Sequence, residues 1–149
     1  MPNEATAWLD RLKAVEREYA TAKLAVMRLE RQARNDPQVL TGQLRIQDII
    51  VTSEQLEGTY IVRLFSEFET ALRHFLRATK LSAPGKAEPL INKVRDRVGI
   101  SSDHADETHK VRIYRNALVH DLPDPVNPVT MAEARKHCCT FLSWLQRRW

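Results

Sequence analysis

From Trp8 to Leu29, apolar residues recur at alternating spacings of four and three: Trp8, Leu12, Val15, Tyr19, Ala22, Val26 and Leu29. That period places them on one face of an α-helix, whereas a strand would scatter them over both faces. Asp10, Arg11, Lys13, Glu16, Arg17 and Glu18 lie on the flanks of the stripe. The spacing predicts one long helix from about Asn3 to Arg34. A seam held for three heptads needs something to pack against. The partner is either the rest of the same domain, which is the preferred reading, or the same helix of another copy in a purely structural dimer.

Asn35-Asp36-Pro37 ends this helix, because proline removes a backbone donor and biases the residue before it away from helical geometry. Residues 38–51 read as a connector, a short strand or buried linker carrying Leu44, Ile46, Ile49, Ile50 and Val51. Thr52, with Gln55 three residues on, reads as a helix start. From there to about Lys80 runs the most aromatic stripe of the chain: Leu56, Tyr60, Ile61, Phe65, Phe68, Leu72, Phe75 and Leu76. This segment is expected at the centre of the core, with Glu67, Arg63, His74, Arg77 and Lys80 on its polar side. A short helix follows from about Pro89 to Val98, stopped by Gly99. The next is capped by Ser101 or Ser102 and ends near His120. Asp121 to Pro128 holds three prolines in six residues and cannot be helical. Thr130 and Glu133 form a capping box, and the last helix is expected to run to the terminus.

With only 4 glycines and 7 prolines in 149 residues, and the prolines mostly between periodic segments, the expectation is one all-α domain spanning residues 1–149. It is an up-and-down bundle of four to five helices: a long N-terminal helix within residues 1–40 and a core over 52–149. The net charge of +4 permits an anionic partner without requiring one. The two cysteines are the adjacent pair Cys138-Cys139, which makes no secreted-type disulfide framework. There is no apolar signal region and no run as long as a membrane span, so the expected setting is cytoplasmic, away from membranes.

The stretch Val111 to His120 carries the chemistry. At 100° per residue, Val111, Ile113, Tyr114, Ala117 and Leu118 fall on one side, expected to face the core. Arg112, Arg115, Asn116 and His120 fall on the other, with Val119 among them. Two permanent cations, an amide and an imidazole on one face are a plausible set for handling phosphate.

Arg115-Asn116-Ala117-Leu118-Val119-His120 resembles the R-x4-H motif of HEPN domains, with the asparagine that often follows the arginine. The resemblance extends over roughly residues 52–149. A loop and a capped final helix follow the motif, and Phe65 to Arg73 is similar to the helix that packs against it in that family. It implies a helical bundle with a metal-independent endoribonuclease site, in a toxin or defence effector with a neutralising or regulatory protein partner. It equally implies, as the alternative, a non-catalytic module for RNA binding or protein assembly. Toxin members carry a modified tyrosine two residues beyond the histidine. Leu122 stands there in this chain, so regulation by that route is not expected.

The residues suit the chemistry that the resemblance implies. Metal-independent RNA cleavage must deprotonate a 2′-hydroxyl, stabilise the phosphorane and protonate the leaving 5′-oxygen. An imidazole changes charge near neutral pH, which makes His120 the candidate general base or acid. Arg115 cannot deprotonate usefully and is the candidate phosphate clamp. Asn116 can orient the imidazole or donate to the phosphate, and Arg112 can hold a neighbouring phosphate. His74 and Arg77 of the aromatic helix are further candidate substrate-binding residues. No cofactor or metal is called for: His104 and His109 are five residues apart and do not share a helix face as an i, i+4 pair would. Five residues on a helix also set Arg115 and His120 about 140° apart. The site in one copy is therefore broad and thin, and the expectation is a homodimer in which two copies share one cleft around RNA, with Val119 at the contact.

Overall fold

The computed structural model describes residues 4–120 and 122–149 and holds five α-helices, with no strand among the described residues. Asn3, where the sequence reading starts the first helix, and Asp121 of the proline-rich loop lie outside the described residues. Helix α1 spans Glu4–Asn35, α2 Ile46–Ala78, α3 Ala87–Val98, α4 Ser102–Val119 and α5 Met131–Ser143. None of them is long and apolar enough to cross a membrane.

The aromatic helix α2 is the axis, packed against all four others. Its Phe65, Phe68, Phe75, Ile61, Leu64, Leu72 and Leu76 are fully buried. Each such side chain contributes roughly 1.5–3 kcal/mol of burial. The rings meet at tilted or edge-on angles, as their quadrupoles favour. Phe65 and Phe68 lie 5.5 Å apart, Phe68 and Phe141 of α5 5.5 Å apart at 83°, and Phe75 and Trp149 5.6 Å apart at 70°. The α1–α2 pair is antiparallel: Arg11 lies 3.9 Å from Glu67, Glu18 pairs with Arg63, and the Tyr19 and Tyr60 rings are 5.9 Å apart.

The first helix does not use its seam uniformly. Trp8, Leu12 and Val15 are buried on α2 and α5, which is packing within the chain's own domain. Beyond Tyr19 the seam runs past the bundle. There Ala22 and Val26 are half-buried and Leu29 is exposed; off the seam, Leu24 and Met27 are exposed as well.

That arrangement revises the expected connector. The segment after α1 is one short 3-10 turn, Pro37–Val39, capped by the Asp36 carboxylate accepting from the Gln38 N–H at 3.0 Å. Helix α2 then starts at Ile46, six residues before Thr52. Asp48 accepts from the Arg45 N–H at 2.8 Å and fixes that start. Thr52, expected as a cap, instead sits inside the helix and donates back to the Asp48 carbonyl at 2.7 Å. Ile49 is buried, and Ile46 to Val51 is helical and not extended.

The remaining boundaries follow local rules. At the end of α2, Lys80 takes a positive φ of 60° and the Leu81 N–H closes onto the Leu76 carbonyl at 2.7 Å. Gly99, at φ 81°, ends α3, where a left-handed residue is needed. Ser101 caps α4, and Thr130 with Glu133 forms the expected capping box of α5. The last helix does not continue to the terminus: it tightens into a 3-10 turn over Trp144–Arg147. That turn buries Leu145 and brings the Trp149 ring onto Phe75.

Candidate functional site

Helix α4 positions the motif with its core face turned from the one the local pattern suggests: Val111 and Tyr114 pack inward as expected, Ile113 and Leu118 do not. Its core side is set earlier in the helix by Ala105, Thr108 and Val111, all fully buried. Continuing that stripe by three and four residues reaches Arg112 and Arg115. Their side chains are only 14% and 20% exposed. Ile113 and Leu118, expected inside, are 42% and 40% exposed. The reason is the neighbouring elements: α2 and the start of α3 offer the Glu69 and Glu88 carboxylates on the arginine side of α4.

Arg115 points across to α2. Its guanidinium lies 5.1 Å above the Phe65 ring and donates to the Glu69 carboxylate, and its Nη1 donates to Asn116 Oδ1 at 3.0 Å. Its Nε is buried without an acceptor, a cost carried at this position. Glu69 is held in turn by Arg73, 3.7 Å away, and Arg73 donates to the Pro84 and Gly85 carbonyls. The loop between α2 and α3 is thereby tied to the same cluster.

Arg112 is fixed from the other side. Its Nε donates to His109 Nδ1 at 3.0 Å and its Nη1 lies 3.6 Å from the Glu88 carboxylate of α3. His109 Nε2 in turn meets Asn92 Oδ1 at 2.9 Å. Burial, then the neighbouring Arg112 charge, holds the His109 imidazole below its ordinary pKa.

His120 caps the helix, its N–H bonded to the Asn116 carbonyl at 2.9 Å, and its side chain is exposed. The negative end of the helix dipole lies beneath it. Between α2, α3 and α4 there opens a cleft of about 430 Å³ lined by Glu69, Gly85, Lys86, Ala87, Glu88, Arg112, Arg115, Asn116 and His120. Four candidate residues of the motif helix thus share one cleft. Three cations face two carboxylates in it, so its field favours an anion only modestly.

His74 and Arg77 are not brought there. His74 stacks on Trp8 of α1, 5.4 Å away, and Arg77 is exposed elsewhere on α2. From Glu69, which does face the cleft, His74 is displaced by about 140° around the helix. Glu69, Lys86, Glu88 and His109 were not expected from the sequence as parts of the site. Glu69 had a signal: it borders the stripe of Phe65, Phe68 and Leu72, and a carboxylate beside a core face needs a cationic partner.

The other clusters considered from sequence do not converge. Among the described residues, no three histidine, cysteine, aspartate or glutamate side chains stand together as a metal-ligand set. His104 packs near Trp144, and Glu107 pairs with Lys110 and approaches His137 at 3.4 Å. Cys138 and Cys139 are both buried and free, and burial pushes both thiols up in pKa. They are packing groups and not nucleophiles.

No family model, no curated protein and no solved structure matches this chain.

Proposed function

We propose that the chain is a metal-independent endoribonuclease of HEPN type, acting on RNA at a site shared between two copies. The observation that carries this reading is the cleft between α2, α3 and α4, which gathers Arg112, Arg115, Asn116 and His120. Arg112 and Arg115 supply planar donor forks for phosphate oxygens. Asn116 is bonded to Arg115 and lies one turn before His120. His120, exposed at the cleft, is the one side chain of the four suited to general acid or base work.

A single copy supplies one histidine, whereas cleavage needs a base on the 2′-oxygen and an acid on the 5′-oxygen. The surface beside the cleft bears on this. Val119, next to His120, is 51% exposed, and Leu122 just beyond it is 44% exposed. A second copy seated on that patch would cover it and bring its own Arg115 and His120 alongside. The test is sedimentation of the purified protein beside an RNA cleavage assay. Activity should track the dimer fraction and fall with Val119→Asp, whose fold is retained. Cleavage by a protein that stays monomeric at micromolar concentration would contradict the shared site.

One observation favours the second reading, a non-catalytic module that binds RNA or assembles a complex. The Arg115 charge is already met by Glu69 within the fold. Under that reading Arg112→Ala weakens RNA binding and flattens its salt dependence, while His120→Ala changes little.

A further inference from the structure

We propose that His109 is a positioning residue for Arg112: a neutral imidazole that holds the guanidinium in the cleft and releases it on protonation. The inference rests on the phosphate-binding reading of the cleft.

The argument begins with which atoms can donate. Arg112 Nε carries a hydrogen at every accessible pH and can only donate. Its partner, His109 Nδ1 at 3.0 Å, must therefore be the unprotonated ring nitrogen. The single ring proton then sits on Nε2, where Asn92 Oδ1 at 2.9 Å accepts it. Asn92 of α3 and Arg112 of α4 thus select one tautomer between them, and α3 becomes a strut that fixes the direction of Arg112.

Protonation undoes this arrangement. A hydrogen on Nδ1 would point at the Arg112 N–H, and an imidazolium would stand 3 Å from a guanidinium. The groups facing the ring are Glu88 and Arg95 from α3 and Asp106 and Arg112 from α4. The two carboxylates favour the imidazolium; burial and the two arginines oppose it more strongly. The ring therefore takes up its second proton less readily than an ordinary histidine. Arg112 would then swing toward Glu88, which lies 3.6 Å away and is 61% exposed. The cleft loses one oriented phosphate donor as His109 takes up its second proton.

The test pairs a direct probe of the ring with a functional one. Nitrogen-resolved NMR of the histidine rings should show His109 at neutral pH as the Nε2–H tautomer, with the Arg112 Nε–H slow to exchange. Acidification should convert the ring to imidazolium, and the Arg112 signal should be lost in step. In parallel, the Kd for a short fluorescent single-stranded RNA is measured across the same pH range at fixed salt. In the wild type it should rise about tenfold through the His109 transition, beyond any change in the Arg112→Ala background. His109→Gln keeps an acceptor for Arg112 and does not titrate. It should bind as the wild type does at neutral pH and lose the acid-dependent step, whereas His109→Leu should bind weakly throughout. A ring found as the Nδ1–H tautomer, or an Arg112 signal indifferent to His109 protonation, overturns the proposal. If the NMR coupling appears but RNA binds independently of Arg112, the positioning role stands and the phosphate-cleft reading fails.

Discussion

Arg115 of α4 and Glu69 of α2 form an ion pair at the floor of the candidate cleft, with the guanidinium 5.1 Å above the Phe65 ring. Both side chains are at most one-fifth exposed, so neither charge is well solvated without the other. The pair ties the motif to the aromatic core. Any phosphate that engages Arg115 must share it with Glu69.

Glu69→Ala should therefore destabilise the fold by about 2 kcal/mol, because it leaves a partly buried guanidinium without its acceptor. Glu69→Gln, which keeps an acceptor oxygen, should lose less. Urea unfolding of the two variants measures the difference. If Glu69→Ala unfolds like the wild type, the pair is not a structural tie.

Position 58 has a sign that propensity alone would miss. A Cβ on Gly58 would stand 3.1 Å from Leu118 Cδ2, at the point where α2 passes the end of α4. Leu118 is 40% exposed and can move aside. Removing a mid-helix glycine is worth about 1 kcal/mol, so Gly58→Ala should stabilise by roughly 0.5 kcal/mol after that adjustment. Gly58→Leu should displace Leu118 and destabilise. Thermal melts of both variants check the order.

Leu24, off the seam of α1 and beyond Tyr19, makes a paired prediction with Leu12. Leu12 is fully buried and Leu24 is 50% exposed, although both lie on one helix. Leu12→Asp should cost more than about 4 kcal/mol, whereas Leu24→Asp should stay within about 0.5 kcal/mol. Equal effects would mean that the outer half of α1 is covered in solution.

Tyr19 provides the clearest dependence on pH. Burial first, and then the hydrogen bond from its hydroxyl to Glu57 Oε2 at 2.6 Å, push its pKa up to about 12. The folded value lies above the unfolded one of 10. The contribution to stability is therefore complete below pH 10 and is lost as pH rises toward 12. Absorbance at 295 nm should show a tyrosinate step near pH 12 that Tyr19→Phe lacks.

Much of the fold could be read from periodicity, because a seam such as Phe65, Phe68, Leu72 and Leu76 admits only one kind of element. The misreadings came where tertiary partners override local pattern. Thr52 and Gln55 look like a helix start, yet the Asp48 carboxylate caps the chain at Arg45 and Ile49 is buried, so the helix begins at Ile46. The motif face misled for a similar reason. Within Val111 to His120 the apolar residues alone suggest an inward side, but Ala105 and Thr108 set the core direction and Glu69 supplies the charge that draws Arg115 inward. The gathering of Arg112, Arg115, Asn116 and His120 could be read because one helix carries all four. Glu88 and Lys86 could not, since only the path of α3 brings them to the cleft.

The measurement that bears most directly on the proposed activity is incubation of the purified protein with a mixed RNA in EDTA, beside His120→Ala. The account predicts cleavage by the wild type, with 2′,3′-cyclic phosphate ends, and none by the variant, which should fold and bind RNA nearly as before. Equal cleavage by both proteins would remove His120 from the reaction. No cleavage by either, with RNA still bound through Arg112 and Arg115, would contradict the ribonuclease reading and leave a binding module.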